Sequence, residues 1–150
     1  MVDPFSEPMR LALREARAAA DAGEVPVGAV VTRRGEVVAA ARNRMLSDAD
    51  PTAHAEMVVL RRAGAALATP RLDECDLWVT LEPCAMCAGA IALSRIRRLY
   101  FAAPDPKGGA VLHGPRLFAQ ATCHHAPEVY SGLCEEEAGE LLRSFFAARR

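Results

Sequence analysis

The sequence lacks several features that would by themselves assign it to a class of protein. No apolar run approaches the roughly 18 residues that a membrane helix needs, and residues 1–10 carry no signal-peptide pattern. We therefore expect no membrane span and a cytoplasmic location. The formal net charge is −1, so a broad basic surface is absent. Any nucleic-acid partner would be held by a local patch and by shape.

Internal repeats, low-complexity stretches and linkers are also missing. A chain of 150 residues, 51% hydrophobic and 25% charged, has globular composition and predicts one domain over residues 1–150. There are five cysteines, an odd number, and Cys84 and Cys87 form a Cys-x-x-Cys pair. In a reducing compartment such a pair indicates metal or redox chemistry rather than a disulfide framework.

Hydrophobic periodicity and the positions of Gly and Pro predict alternating helices and strands. Helices are expected within 4–22, from 50–52 to about 62 with a stop near Gly64, over 83–94 and over 135–150. Strands are expected at 27–32, 36–41, 76–81, 97–102 and 128–131, the first two forming a hairpin. Residues 103–126 are rich in Pro, Gly and His and show no clear pattern. This order predicts an α/β fold with helices on both faces of a mixed five-stranded sheet.

Two short motifs carry the chemistry: His54-Ala55-Glu56 and Pro83-Cys84-Ala85-Met86-Cys87. Both lie at predicted helix starts, where free N–H groups and the helix dipole favour a thiolate. Cysteines at i and i+3 project from the same face of a first turn. Two thiolates and one imidazole give three zinc ligands and leave the fourth position to a water, whose pKa the metal lowers to roughly 7. We expect one zinc per chain, bound by His54, Cys84 and Cys87.

Glu56 is the carboxylate beside this ligand set, and it is the expected proton carrier. A regular helix would place His54 and Glu56, at i and i+2, on different faces, so the sequence does not explain how both reach one site. A Pro-Cys-x-x-Cys arises by chance in only about one chain of this length in several hundred. The two motifs in this order, with 26 residues between Glu56 and Pro83, are expected by chance in still fewer chains.

Two other uses of the cysteines stay open at this stage. Cys84 and Cys87 could form a redox pair of thioredoxin type. They could also belong to a structural zinc site, which would need a fourth ligand from Cys123, His124 or His125. An upstream His-x-Glu does not belong to a thioredoxin-type motif and favours the catalytic interpretation.

The ordered motifs match the signature of the zinc-dependent nucleobase deaminases. Over nearly its whole length, the chain resembles the bacterial tRNA-specific adenosine deaminases. It rests on Asn43 and on the segments Glu24-Val-Pro-Val-Gly-Ala-Val30, 50–56, 79–90, Asp105-Pro-Lys-Gly-Gly109 and 141–150. It implies a cytidine-deaminase-like three-layer α/β/α sandwich and a homodimer. The implied reaction converts the wobble adenosine of an arginine tRNA anticodon to inosine.

The same resemblance assigns substrate contacts to two further residues. Asn43 would hydrogen-bond the flipped nucleotide, and Asp105 would contact the sugar of a neighbouring nucleotide. Judged without the resemblance, Asn43 and the segment that begins at Asp105 are also typical of ordinary turns. Arg95, Arg97 and Arg98 are equally consistent with a tRNA-binding patch and with a solvated face.

Three functions remain to be separated. The first is a deaminase acting on a tRNA anticodon stem-loop, with DNA not expected as the natural substrate. The second is a zinc deaminase of a free base or nucleoside such as guanine, cytosine or cytidine. The third is a noncatalytic zinc-stabilised RNA-binding module. Glu56 argues against the third, because binding alone needs no proton carrier.

Overall fold

The computed structural model describes residues 6–149, in which helices and strands alternate along the chain. The helices are α1 (Ser6–Asp21), α2 (Ala55–Leu67), α3 (Ala85–Ser94) and α4 (Glu135–Ala147). The strands are β1 (Gly28–Arg33), β2 (Glu36–Arg42), β3 (Cys75–Leu81), β4 (Arg98–Ala103) and β5 (Glu128–Ser131). The segment between β4 and β5, which showed no clear pattern, holds a short 3-10 helix at Leu117–Ala119.

The five strands form one sheet in the order β2-β1-β3-β4-β5. Strand β1 is antiparallel to both β2 and β3, whereas β3, β4 and β5 are parallel. The predicted mixed five-stranded sheet is therefore confirmed. The carboxyl ends of β3 and β4 meet at one edge of the sheet, and the segment that leads into α3 leaves from there.

Side chains of each central strand alternate between two apolar layers, as the period of a strand requires. On one face, Leu77 and Val79 belong to the core that includes Val59 of α2 and Ile91 of α3. On the other face, Trp78 belongs to the core that includes residues of α1 and α4. This arrangement is the expected three-layer α/β/α sandwich. Within residues 6–149, no helix combines the length and apolar character needed to span a membrane.

The predicted hairpin joins β1 to β2 through a two-residue turn. Arg33 pairs with Glu36, and the two residues between them, Arg34 and Gly35, both have positive φ angles of 54° and 80°. Two positive φ values are typical of the type I′ turn, whose twist matches that of the flanking strands.

The predicted start of α2 at 50–52 is wrong, because these residues form a turn before the helix. The Asp50 carboxylate accepts hydrogen bonds of 2.8 Å from both the amide and the hydroxyl of Thr52. The helix begins at Ala55 and runs past Gly64 to Leu67, ending where Ala68 takes a left-handed conformation.

The other boundaries differ from expectation by smaller amounts. Helix α3 begins at Ala85, with Cys84 rather than Pro83 at its N-cap. Of the helix expected within 4–22, the first residues lie outside the described part of the chain, and α1 ends at Asp21. The last helix ends at Ala147, short of the predicted 135–150, and Arg150 lies outside the described residues.

Candidate active site

The N-terminus of α2 presents His54 and Glu56 to the same site. His54 is the N-cap residue, with φ −71° and ψ 153°, so its backbone is extended rather than helical. Glu56 lies in the first turn and is 4% exposed. The i, i+2 spacing therefore crosses the boundary of the helix, and this explains how both side chains reach one site.

The N-terminus of α3 presents the two cysteines of the second motif. Cys84 is the N-cap, again with extended backbone, and it is half-buried. Cys87 lies in the first helical turn and is fully buried. The helix start thus places both sulfurs on one side, as their i, i+3 spacing predicted.

The two helix starts bring one imidazole and two sulfurs together. Nδ1 of His54 lies 3.6 Å from Sγ of Cys84 and 3.6 Å from Sγ of Cys87. The three ligand atoms lie within 4.8 Å of one another, and no other group of three His, Cys, Asp or Glu among residues 6–149 is arranged to hold a metal ion.

These separations can be compared with those of a tetrahedral zinc site. Zn–N bonds of about 2.0–2.1 Å and Zn–S bonds of about 2.3 Å at a tetrahedral angle place N and S about 3.6 Å apart. The observed His54–Cys84 and His54–Cys87 distances match that value. The donor set, one nitrogen and two sulfurs, is also one that zinc prefers.

The two thiols have pKa values that differ widely. Hydrogen bonds to its sulfur from Cys87 and His54 lower the pKa of Cys84 to about 4. The pKa of Cys87 is raised, first because its thiol is the donor to Cys84 and then because it is buried. The hydrogen bond with Cys84 also raises the pKa of His54. The thiolate form is therefore favoured at Cys84, the sulfur that begins the helix.

Glu56 is buried beside this cluster, and its burial raises its pKa to about 7. A carboxyl group whose pKa lies near neutrality can both accept and donate a proton at the pH of the cell. This is the property that a proton carrier requires, and it follows from the burial of the side chain in the first turn of α2.

The cluster opens into a cavity of about 220 Å³. Its lining combines His54, Cys84 and Glu56 with Asn43 and Asp105, the two residues for which the sequence predicted substrate contacts. The remaining lining side chains are mostly apolar: Val25, Val27, Met45 and Leu81, with Glu82 and Gly108. The structure thus brings five of the six predicted site residues to one cavity, and the sixth, Cys87, lies behind it.

The alternative fourth ligands lie elsewhere. The Cys123 thiol donates a hydrogen bond to the carbonyl of His125 at 3.2 Å, and Nε2 of His125 lies 2.8 Å from the carbonyl of Ile96. Cys123 and His124 line a separate groove beside α3. The structural-zinc interpretation that used these residues is not supported by their position.

The arginines considered as a tRNA patch are largely paired with carboxylates. Arg97 donates two hydrogen bonds of 3.0 Å to Asp76, and Arg98 donates one of 2.9 Å to Glu128. This pairing favours the interpretation as a solvated, charge-balanced face.

Two buried carboxylates near the cavity were not singled out from the sequence. Glu24 and Glu82 are each 2% exposed. Burial raises their pKa values, but hydrogen bonds from loop amides outweigh it and hold both pKa values below the usual range. For Glu82, the only signal in the sequence is its place as the single charged residue of 79–92.

Comparison with known proteins places this site in a family. The model of the MafB19-like deaminases matches residues 5–150. The tRNA-specific adenosine deaminase of Agrobacterium fabrum is 58% identical over 142 residues, which cover 95% of this chain and 93% of that protein. A structure from work on A-to-I editing by tRNA:A34 deaminases at the wobble position of transfer RNA superposes with a TM-score of 0.89 at 58% identity. It covers 90% of this chain and 98% of that one.

A more distant structure comes from the guanine deaminase of Nitrosomonas europaea. It has a TM-score of 0.79 at 28% identity and covers 98% of this chain and 86% of that one. The fold is therefore shared with deaminases of free bases, while the sequence is much closer to the tRNA enzymes. The chain belongs to the MafB19-like deaminases and, by its identity over almost its whole length, to the family of tRNA-specific adenosine deaminases.

Proposed function

We propose that this chain deaminates the wobble adenosine of a tRNA anticodon, of the arginine type, to inosine. The observation that carries the proposal is a buried carboxyl, Glu56, beside a His/Cys/Cys cluster in a chain 58% identical to a tRNA-specific adenosine deaminase. The reaction adds one water and releases one ammonia, so a C–O bond replaces the C–N bond at the purine ring.

One zinc per chain, held by His54, Cys84 and Cys87, is part of the proposal. The 3.6 Å separations and the chemistry of the three donors support it. Zinc in this position supplies a water that is activated at neutral pH.

Glu56 moves the protons that the reaction requires. The water that adds to the ring must lose its protons, while the ring nitrogen and then the departing amino group must gain them. A single carboxyl with a pKa of about 7 can take a proton at the first step and return it at the next. Its burial excludes bulk water from these transfers.

Asn43 and Asp105 are proposed to bind the substrate. Both line the cavity that holds Glu56, Asn43 being 5% exposed and Asp105 lying on the segment after β4. The amide of Asn43 would hydrogen-bond the flipped nucleotide, and the carboxylate of Asp105 the sugar of its neighbour. An unpaired loop base suits such a cavity, because extruding it requires less energy than flipping a base out of a duplex.

The proposal is tested by incubating the zinc-loaded protein with an anticodon stem-loop that carries adenosine at the wobble position, followed by nucleoside analysis for inosine. A stem-loop with adenosine only outside the anticodon is the matched substrate control. We expect inosine only from the first. Free guanine, cytosine, cytidine and adenosine are assayed in parallel, and a higher kcat/KM on any of them would contradict the tRNA assignment.

One observation fits the alternative, a deaminase of a free base, as well as it fits the tRNA enzyme. The cavity of about 220 Å³ is below the roughly 300–1,000 Å³ of pockets for drug-sized ligands and is suited to a single base. A tRNA enzyme needs the same small cavity for its flipped base, together with contacts outside it. The parallel assay separates the two functions.

A homodimer and a cytoplasmic location complete the proposal. The homodimer rests on the family resemblance alone, and the location follows from a tRNA substrate. Leu93 on α3 is 79% exposed and Met86 is 36% exposed, and a second copy packed on α3 would cover them. Light scattering of the zinc-loaded protein at micromolar concentration tests the dimer, because a mass near the 16.1 kDa of one chain would contradict it.

A further inference from the structure

Glu82 connects the metal-ligand turn to the opposite wall of the cavity. It lies between the end of β3 and Cys84, and its side chain is 0% exposed. One carboxylate oxygen accepts the amide of Asp105 at 3.0 Å and lies 2.8 Å from Nδ1 of His113. The other accepts the amides of Val111, Leu112 and His113 at 3.1, 2.9 and 3.2 Å. One carboxylate thus holds both ends of the segment 105–113.

The segment is shaped to receive this carboxylate. A Cβ added at Gly109 would lie 2.5 Å from Oε2 of Glu82 and 2.6 Å from the carbonyl of Asp105, so only glycine allows the approach. The segment also holds itself in a tight turn, because Oδ1 of Asp105 accepts the amides of Lys107 and Gly108 at 3.2 and 3.0 Å.

Asp105 and Gly108 of this segment line the cavity, and Glu82 also contributes to its lining. A carboxylate taken out of water is stable only if its oxygens are hydrogen-bonded, and here the segment 105–113 supplies the donors. Among the described residues, the segment makes one other backbone hydrogen bond to this turn, from the amide of Ala110 to the carbonyl of Pro83 at 2.9 Å. The carboxylate is therefore the main link between the cavity wall and the metal-ligand turn.

We propose that Glu82 and His113 are positioning residues, which fix the segment 105–113 so that Asp105 is held at a set place relative to the His54–Cys84–Cys87 cluster. The role of Asp105 in this statement rests on the proposed function. Neither residue touches the substrate in this scheme. A displacement of about 1 Å in a group that orients the substrate can reduce turnover by about 100-fold, so the link matters for rate as well as for affinity.

The informative substitutions are at His113, whose side chain is 35% exposed and therefore tolerates change better than that of Glu82. His113→Leu removes the donor to Glu82. His113→Asn is the matched control, because its amide nitrogen occupies the position of Nδ1 and can donate to the same oxygen. Glu82→Gln is a second test, since it places an N–H group against amides that already donate.

Hydrogen exchange of the zinc-loaded full chain without RNA gives the first measurement. We expect His113→Leu to speed exchange at the amides of 105 and 111–113 by about tenfold or more relative to the parent, and His113→Asn to restore the parental rates. Zinc content should stay at the parental level in both. Parental exchange in both His113→Leu and Glu82→Gln would overturn the proposal.

Kinetics on the anticodon stem-loop give the second measurement. His113→Leu should lower kcat by about tenfold rather than act on KM alone, and His113→Asn should recover most of it. If His113 acts through Asp105, the double variant with Asp105→Ala should be no slower than Asp105→Ala itself. If the double variant is instead slower than Asp105→Ala by the factor that His113→Leu shows alone, the proposal is overturned. A parent that leaves the stem-loop unchanged would contradict the proposed function instead, while the exchange comparison still decides whether this link holds the segment.

Discussion

Nδ1 of His54 lies 3.6 Å from Sγ of Cys84, although 30 positions separate the two residues in the chain. Cys87 completes the cluster from the first turn of α3, and its removal would leave only two of the three proposed zinc ligands. We therefore expect Cys87→Ala to lose most of its zinc, as measured by metal analysis after dialysis. Because the ligands must be deprotonated, zinc affinity in the parent should also fall at acid pH.

Cys123→Ala and His124→Ala are the matched controls for this prediction. Both residues lie in the groove beside α3 and not in the cluster, so both variants should keep one zinc per chain. Zinc retained by Cys87→Ala, or lost from either control, would show that the ligand assignment is wrong.

Glu56→Gln should keep the fold and the zinc while losing most of the turnover. The substitution preserves the shape of a side chain that is 4% exposed and removes only its ability to carry a proton. General acid–base catalysis contributes about 10² to 10⁴-fold, and we expect a decrease of kcat in that range. Single-turnover assays on the stem-loop measure it, with zinc content and thermal unfolding as controls. A variant within about tenfold of the parent would mean that another group carries the protons.

The hydrogen bonds of the buried Glu24 make the stability of the fold depend on pH. Its carboxylate accepts the amide of Leu46 at 3.1 Å and the amide and hydroxyl of Ser47 at 2.7 and 2.9 Å. These bonds hold its pKa below that of the unfolded chain despite burial. The stabilisation is therefore fully present above the unfolded pKa of about 4.3 and is lost as the pH falls through the lower folded pKa.

Glu24→Gln should accordingly be less stable than the parent by at least about 1 kcal/mol at pH 7. The difference in unfolding free energy, measured in urea, should shrink as the pH falls below about 4.3, where the parent also becomes protonated. Because zinc release in acid affects parent and variant alike, it largely cancels in this difference. Glu140→Gln is the control: its carboxylate is exposed, so the substitution should change stability little at any pH. A pH-independent difference for Glu24→Gln would contradict the linkage.

The charge pairing of Arg97 gives a prediction about RNA binding. Because its guanidinium already donates two hydrogen bonds of 3.0 Å to Asp76, it is not a free phosphate contact. Arg97→Gln should leave the kcat/KM for the stem-loop within about threefold and leave its salt dependence unchanged. A reduced slope of log(kcat/KM) against log[salt] would show instead that this face contacts phosphate.

The His54–Cys84–Cys87 cluster could be predicted from the sequence because its members come in local motifs at helix starts. His54 and Glu56 lie two residues apart, and Cys84 and Cys87 three apart, so the chain itself limits how far each pair can separate. Glu82 could not be found in this way. Its partners are mostly backbone amides about 30 positions away, which every residue carries and which leave no pattern in the side chains.

The two ends of α2 also show which features the sequence can predict and which depend on the folded structure. Asp50 and Pro51 are typical both of a helix start and of a turn, and the hydrogen bonds from Asp50 to Thr52 select the turn. Gly64 suggested a stop because glycine in a helix costs about 1 kcal/mol relative to alanine. The helix continues because Leu67, beyond the glycine, packs against the same core in which Ala63 is buried, and that tertiary packing cannot be read from local propensity.

A stem-loop can contact residues outside the cavity that a free nucleoside cannot reach. Phe145 is 8% exposed and has the Arg149 guanidinium 3.5 Å above its ring, whereas Phe146 is 48% exposed. Deleting 145–150 should impair the stem-loop reaction, but it also removes the core residue Phe145, so Phe146→Ala is the cleaner change. Asp105→Ala tests the proposed sugar contact. Each single change should lower kcat/KM on the stem-loop by about tenfold, because contacts remote from the reacting atom orient the base.

On free adenosine the same two variants should stay within about threefold of any activity that the parent shows, since one base and one sugar cannot reach Phe146 or use a contact to a neighbouring nucleotide. Phe118→Ala, a partly buried side chain packed on the core away from the cavity lining, controls for general destabilisation, and its effect should be the same on both substrates. If Asp105→Ala and Phe146→Ala reduce both reactions equally, these residues support the fold or the chemistry rather than the recognition of a tRNA anticodon loop.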